Sequence, residues 1–140
     1  MHKYPRFFLT SLSVAISAFL CSCATFTEPS SQVTLQQLEN AHLAFIDHYT
    51  CAGGKPAAWD QASFDSEVAK ITQQFTDAEA AVPKTVPARK TFIKNSADLF
   101  QRDAALVRKK HCLSPSFAAN KKKQLQQNYD LVLKQPQPST

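Results

Sequence analysis

Two histidine and cysteine pairs carry the side chains best suited to chemistry in this 140-residue chain. His48 and Cys51 are three positions apart, a spacing that on a helix lets an imidazole and a thiolate share one metal ion. His111 and Cys112 are adjacent, and adjacent helical residues point about 100° apart. The four residues are therefore the candidate ligands of a zinc or copper site, and the divergence of the second pair argues against that site.

The N-terminus has the layout of a secretory leader. Lys3 and Arg6 form a short basic segment, and an uncharged apolar run follows from Phe7 to Leu20. As a helix this run would span roughly 21 Å, whereas the hydrocarbon core of a bilayer is about 30 Å thick. We therefore predict that residues 1–22 are a cleaved signal peptide and not a membrane span.

The end of this leader, Leu20-Cys21-Ser22-Cys23, resembles the lipobox of bacterial lipoproteins. The resemblance implies that Cys23 becomes the acylated first residue of the mature chain, and several acyl chains on one residue anchor a protein durably. Ala24 and Thr25 follow where an aspartate signals inner-membrane retention in enterobacterial lipoproteins. This implies an outer-membrane anchor with the protein facing the periplasm. The alternative is cleavage after Ala24, which would give a soluble periplasmic or secreted protein.

If Cys21 leaves with the leader and Cys23 carries lipid, the remaining thiols are Cys51 and Cys112. An even pair of cysteines in an oxidising compartment is typical of a disulfide. This bond would close a loop of about sixty residues and stabilise the fold by roughly 4 kcal/mol on the chain-entropy model. It would also consume both thiolates of the metal hypothesis.

The sequence contains no motif of a known catalytic or haem site. It has no Cys-x-x-Cys-His segment, no His-Glu-x-x-His segment and no glycine-rich phosphate loop, and Met1, the only methionine, leaves with the leader. Asp98 and Asp103 are assigned to a solvated helix face, and the neighbours Asp47 and His48 diverge on a helix. We therefore expect no enzyme activity, no cofactor and no small-molecule substrate.

Apolar residues spaced three or four positions apart predict four helices and no sheet. A capping box at Thr34 and Gln37 is expected to start the first helix, and Gly53 and Gly54 to stop it. The second helix ends at Pro83 and the third runs from Pro87 to about Cys112. Ser114 caps the fourth, whose buried side chains are expected to be Phe117, Leu125, Tyr129 and Val132.

Short connections make neighbouring helices antiparallel, so the ends of the first and third helices, with Cys51 and Cys112, meet at one end of the bundle. The predicted fold is thus all-α, a small antiparallel bundle of about four helices tied by one disulfide. Residues 23–33 are expected to be the lipidated N-terminus and a flexible tether, residues 34–134 the bundle, and residues 135–140 a disordered tail. Trp59 lies in the first connection, where it either caps the core or is exposed as an interaction anchor.

Acidic side chains predominate in the first part of the mature chain, and basic side chains predominate in the second. Residues 24–80 hold two basic and eight acidic side chains, whereas residues 81–140 hold twelve basic and three acidic ones. Packing of the basic helices beside the acidic ones explains this pattern, as does the favourable effect of cations at a helix C-terminus. The alternative is contact with an anionic polymer through two clusters, Arg108, Lys109 and Lys110, and Lys121, Lys122 and Lys123. Aromatic residues do not alternate with these lysines, so no nucleic-acid binding is expected.

These patterns together predict a non-enzymatic lipoprotein of the bacterial envelope that acts as an interaction module. Its partners are expected to be the membrane, through the lipid on Cys23, and a protein of the periplasm or envelope, for which the module is an accessory subunit, inhibitor or immunity factor. The alternative function is the binding of lipopolysaccharide or peptidoglycan through the basic second half.

Overall fold

The computed structural model of the protein describes residues 27–53 and 58–134, with side chains from residue 31 onward. Four α-helices make up this part of the chain: α1 (Thr27–His48), α2 (Gln61–Ala81), α3 (Pro87–Lys110) and α4 (Pro115–Leu133). None of these helices is long and apolar enough to cross a bilayer. The predicted leader, the lipidation site Cys23 and the tail at 135–140 lie outside the described residues.

The helices form the predicted antiparallel bundle. α1 packs against both α2 and α4, α2 packs against α3, and α1 also reaches α3. The disulfide between Cys51 and Cys112 joins the ends of α1 and α3, and Arg89 Nη1 donates to Ser31 Oγ (2.7 Å) at their beginnings. These two helices are therefore parallel, and the short connections make α2 and α4 run the other way.

Local sequence signals start three of the helices. The Asp60 carboxylate accepts hydrogen bonds from the backbone N–H groups of Ala62 (3.0 Å) and Ser63 (3.4 Å), which caps α2. Ser114 caps α4 as predicted, because its hydroxyl accepts a hydrogen bond from the Phe117 N–H (3.3 Å). Pro87 lies in the first turn of α3, where the missing N–H is not needed.

Two boundaries differ from the predictions. α1 begins at Thr27, so Thr34 lies two turns inside the helix and the predicted capping box does not start it. Residues 27–33, expected in a flexible tether, are thus helical. α3 ends at Lys110, earlier than predicted, because His111 adopts a left-handed conformation (φ 64°) that cannot continue a helix.

The core fills the centre of the bundle with side chains from every helix. The apolar stripes of α2 and α3 are buried largely as predicted, whereas Phe117 of α4 is 36% exposed, contrary to the prediction. Burial of one large apolar side chain contributes about 1.5–3 kcal/mol relative to its exposed state. The largest fully buried apolar side chains are Leu35, Leu38, Phe45, Ile46, Phe64, Phe75, Ile93, Phe100, Leu113, Leu125 and Tyr129.

Candidate functional site at the disulfide end

A covalent and hydrogen-bonded clamp closes one end of the bundle, which we call the disulfide end. Cys51 and Cys112 form the predicted disulfide, with their Cα atoms 5.2 Å apart. On either side of it the Cys51 N–H donates to the Leu113 carbonyl (2.8 Å), and the Leu113 N–H donates to the Tyr49 carbonyl (2.7 Å). The segments that leave α1 and enter α4 are therefore held together by one covalent bond and two backbone hydrogen bonds.

An aromatic cluster covers the core at the disulfide end. The Trp59 indole stacks on the His111 imidazole, with ring centroids 4.4 Å apart and an angle of 18° between the planes. Its centroid is also 4.9 Å from that of buried Phe64. Trp59 is half-buried and packs against the core, as the capping hypothesis predicted, while His111 on its outer side is exposed.

His48 and Tyr49 share one carboxylate beside this cluster. His48 Nδ1 lies 3.0 Å from Glu67 Oε2, and the Tyr49 hydroxyl donates to the same oxygen (3.0 Å). Burial, followed by this hydrogen bond and the negative charge of Glu67, raises the pKa of Tyr49 to about 12. All three effects favour the neutral phenol over the phenolate.

The four candidate metal ligands do not form one site. Cys51 and Cys112 are bonded to each other, His48 contacts Glu67, and His111 lies against Trp59. Across the described ranges, no group of three or more histidine, cysteine, aspartate or glutamate side chains could hold a metal ion.

The predicted basic clusters divide into paired and unpaired side chains. Arg108 Nη2 is 2.6 Å from Asp65 Oδ1, and Lys122 Nζ is 2.5 Å from Asp47 Oδ1. Both pairs join the basic half of the chain to its acidic half, as the packing explanation predicted. Lys121 turns inward, whereas three exposed lysines have no ion pair within residues 31–53 and 58–134: Lys109, Lys110 and Lys123.

Lys121 ends a buried polar chain that the sequence analysis missed. Its Nζ is 3.0 Å from Asp103 Oδ1, and Asp103 Oδ2 is 3.0 Å from Nε2 of His42. Asp103 is 3% and His42 0% exposed, so the assignment of Asp103 to a solvated face was wrong. The signal was available, because Asp103 lies between Phe100 and Val107 at core spacing, but a carboxylate there needs partners from other helices.

This buried chain contains the orienting part of a hydrolase triad without a nucleophile. Nε2 of His42 carries the proton, since an ionised carboxylate only accepts. Nδ1 has no hydrogen-bond partner among the described residues. The ring contacts Phe100 and Phe75 edge-on, with centroids 5.3 and 6.5 Å away. The arrangement therefore orients and pairs buried polar groups, and none of the described residues brings a hydroxyl or thiol to Nδ1 of the imidazole for nucleophilic catalysis.

At the end opposite the disulfide, a shallow groove of about 280 Å³ separates α3 from α4. Its apolar lining comes from Phe92 and Leu99 of α3 and from Leu131 and Val132 of α4. Leu131 is 68% exposed. Asn95, Ser96 and Asn128 complete the lining, so the groove is a mainly apolar surface with a polar part contributed by three residues.

No protein-family model, curated protein or solved structure matches this chain.

Proposed function

We propose that this protein is a non-enzymatic, lipid-anchored interaction module of the bacterial envelope. Cys23 carries the anchor, and the protein faces the periplasm from the outer membrane. It binds a periplasmic or envelope protein through the exposed surface of the disulfide end. The observation that carries the proposal is the clamped disulfide end, where Cys51 and Cys112 are joined between two backbone hydrogen bonds.

The clamp favours binding because it orders the surface before a partner arrives. Association is opposed by the ordering of loops and side chains, and a surface that is already rigid loses less freedom. Trp59 and His111 are stacked on this surface, and His111 exposes its outer side. Aromatic side chains held in place in this way are frequent anchors of protein interfaces.

The direction of α1 favours the same surface. A 22-residue helix is about 33 Å long, so the end of α1 at the clamp is remote from its N-terminus, which follows Cys23. An anchored module would therefore present the disulfide end away from the membrane. Tethering also raises the local concentration of a binding surface, so a partner of modest affinity would be retained.

Site-specific photocrosslinking in intact cells tests this proposal. The full chain would carry p-benzoylphenylalanine at His111, and a matched chain would carry it at Ala105, an exposed residue of α3 away from the clamp. We expect one discrete crosslinked protein from position 111, none from position 105, and loss of the crosslink in the Cys23→Ala chain. The same crosslinks from both positions would contradict a specific interface at the disulfide end.

A second candidate function is the binding of an anionic envelope polymer, favoured by Lys109, Lys110 and Lys123, cluster lysines that form no ion pair with another described residue. Binding through such exposed cations weakens as salt screens their charge. Replacement of all three by glutamine should reduce binding to lipopolysaccharide vesicles or peptidoglycan at low salt. The matched control replaces three exposed cations away from both ends of the bundle, Lys70, Lys94 and Arg102, by glutamine, with the same change in charge. Equal losses in both triple variants would indicate a nonspecific effect of net charge.

A further inference from the structure

We infer that the end of the bundle opposite the disulfide lies against the membrane surface and places Leu131 and the α3–α4 groove at the lipid interface. This inference rests on the proposed function, because it requires the lipid on Cys23. It adds the orientation of the bundle and the residues that contact lipid.

The first step is the short length of the chain between Cys23 and the start of α1. α1 begins at Thr27, four residues after Cys23. A chain spans at most about 3.6 Å per residue, so four residues reach no farther than about 14 Å. The start of α1 is therefore held within that distance of the acylated residue, which is much closer than a flexible tether to Thr34 would allow.

The second step identifies what else lies at that end. Arg89 in the first turn of α3 donates to Ser31 in the second turn of α1, so these two helices begin at the same end of the bundle. α4 runs the other way and ends at Leu133, which brings Leu131 to the same end. The short connection at 82–86 between α2 and α3 also lies there.

The third step concerns the chemistry of this end. Leu131 is 68% exposed, and beside it Phe92 and Val132 line the part of the groove nearest this end, while Asn95, Ser96, Leu99 and Asn128 continue it toward the middle of the bundle. Exposed apolar side chains of this kind enter the boundary between headgroups and acyl chains, where an interfacial helix buries its apolar face by about 5–10 Å. Lys84 and Lys134 are exposed nearby, the second paired with Asp130 (2.7 Å from Nζ to Oδ2), and lysines at such a boundary extend their ammonium groups to the headgroups.

The short reach selects the bilayer as the occupant of this surface. A partner protein or a second copy of the chain would have to enter the space of at most about 14 Å between the acylated residue and the bundle. Acyl chains and headgroups of the membrane already occupy that space in an anchored protein. The disulfide end lies about one helix length away from the anchor, so the bilayer does not occupy the space around it.

The single native tryptophan makes a direct test possible. Full-length lipidated chain is reconstituted into vesicles of phosphatidylethanolamine and phosphatidylglycerol, with or without brominated phosphatidylcholine, which quenches tryptophan at short range. Wild type reports from Trp59 at the disulfide end. A Trp59→Phe, Leu131→Trp chain reports from the proposed contact. A Trp59→Phe, Gln124→Trp chain is the matched control, because Gln124 is exposed on α4 two turns closer to the disulfide end.

We expect the brominated lipid to quench the indole introduced at position 131 about twofold and to leave Trp59 and the indole introduced at position 124 nearly unchanged, since only the interfacial position reaches the acyl region. The intact mass of each preparation is measured first, so that the acylation of Cys23 is known before the quenching is interpreted.

Three outcomes would overturn the inference, and they differ in whether they also contradict the lipid anchor on Cys23. Acylated Leu131→Trp protein whose new indole is not quenched would overturn the orientation and leave the anchor standing. Protection of that indole from both the lipid quencher and aqueous acrylamide would also overturn the orientation, in favour of a second copy of the chain on the groove. Absence of acyl mass on Cys23 would overturn the anchor and this inference together.

Discussion

The buried Nε2 of His42 lies 3.0 Å from the carboxylate of Asp103, and the second oxygen of that carboxylate is 3.0 Å from the ammonium of Lys121. α1, α3 and α4 thus meet through one polar chain inside a largely apolar core. A buried charge is tolerated only when partners replace its lost hydration. The polar chain consequently makes the relative positions of three helices depend on one another.

Removal of the Asp103 carboxylate, which lies between His42 and Lys121, should therefore destabilise the folded protein. Asp103→Asn leaves the Lys121 cation without its counter-charge, and we expect a loss of about 3 kcal/mol in the free energy of unfolding, measured with urea. Asp98→Asn is the matched control on the exposed face of α3, where loss of the pair with Lys94 should change stability by less than about 0.5 kcal/mol. Lys121→Met added to Asp103→Asn should recover part of the loss, and a further full-sized loss would contradict the role assigned to the pair.

A second buried acid should make stability depend on pH. Burial, followed by the negative charge of Asp130, raises the pKa of Glu39 above its ordinary 4.5. The folded state therefore binds this proton more tightly than the unfolded state. The resulting stability is complete below pH 4.5 and is lost as the pH rises through the raised pKa.

The variant that tests this is Glu39→Gln, which cannot ionise. Its urea midpoint should exceed that of wild type at pH 7, and the difference should disappear near pH 4, where Glu39 is protonated in both states. Glu79→Gln, at a half-exposed carboxylate paired with Lys90, serves as the control and should show no gain at pH 7. A gain from Glu39→Gln of the same size at both pH values would mean that packing, not ionisation, is responsible.

The tyrosines should titrate well above their ordinary pKa of 10. The mature chain proposed above, which begins at Cys23, contains Tyr49 and Tyr129. The pKa of Tyr49 is raised to about 12, and burial, with a contribution from the charge of Glu39, raises that of Tyr129 as well. Near-ultraviolet absorbance should therefore show no tyrosinate at pH 10 while the protein is folded.

The same shifts predict alkaline unfolding, because above pH 10 the unfolded chain releases phenolic protons that the folded chain keeps. Stability gained from the neutral phenols is complete below pH 10 and falls as the pH rises toward 12. Glu67→Gln removes the negative charge beside Tyr49 and keeps an amide oxygen as acceptor, so it should lower the pKa of Tyr49 part of the way toward 10, since burial remains. A tyrosinate step near pH 10 in the folded wild type would contradict these assignments.

Much of the bundle was predictable because local chemistry determines it. The stripes around Phe75 and Phe100, the cap at Ser114 and the proline at position 87 are each read within a few residues of chain, and all were confirmed. The Cys51 and Cys112 pairing was predictable for a different reason. Antiparallel topology and the count of cysteines independently bring the same two residues together.

The wrong predictions concern positions where a local pattern fits two structures, or where residues distant in sequence determine whether a side chain is buried. Thr34 and Gln37 satisfy the capping-box pattern, yet the same residues are compatible with a helix interior. Asp103 is charged and looks solvated until Lys121 and His42, distant in sequence, neutralise it. Phe117 fits the apolar stripe of α4, but it lies beside the Lys121 ammonium (5.6 Å from Nζ to the ring centroid) at the exposed edge of that helix.

The left-handed conformation of His111 gives a prediction with a clear sign. A side chain at φ 64° has a steric cost that glycine lacks. His111→Gly and His111→Ala both lose the stack on Trp59. The difference between their free energies of unfolding therefore measures the contribution of the backbone conformation alone. We expect the glycine variant to be more stable by about 1 kcal/mol in urea unfolding. At Lys110, the last helical residue, alanine should instead be the more stable substitution. Equal stability of the two His111 variants would contradict a left-handed backbone in solution.

Reduction of the disulfide should destabilise the bundle without dissolving its helices. Cys51 and Cys112 are 61 positions apart, and release of a loop of that size costs about 4 kcal/mol on the chain-entropy model. The backbone bonds between Cys51 and Leu113 and between Leu113 and Tyr49 do not involve sulfur, so they can persist in the reduced protein. We therefore expect unchanged helical circular dichroism at low urea and a large fall in the unfolding midpoint.

The slope of stability against urea distinguishes an effect of the disulfide on the unfolded chain from a loss of contacts in the folded protein. Without the cross-link the unfolded chain expands and exposes more surface, so the slope of stability against urea should increase as the midpoint falls. The Cys51→Ser, Cys112→Ser chain should match the reduced wild type in both quantities, and reductant should not change it further. A midpoint that barely moves on reduction would show that the two backbone hydrogen bonds hold the disulfide end closed by themselves. Trp59 fluorescence would then report the same local packing in both redox states, because its stack on His111 lies beside the bond.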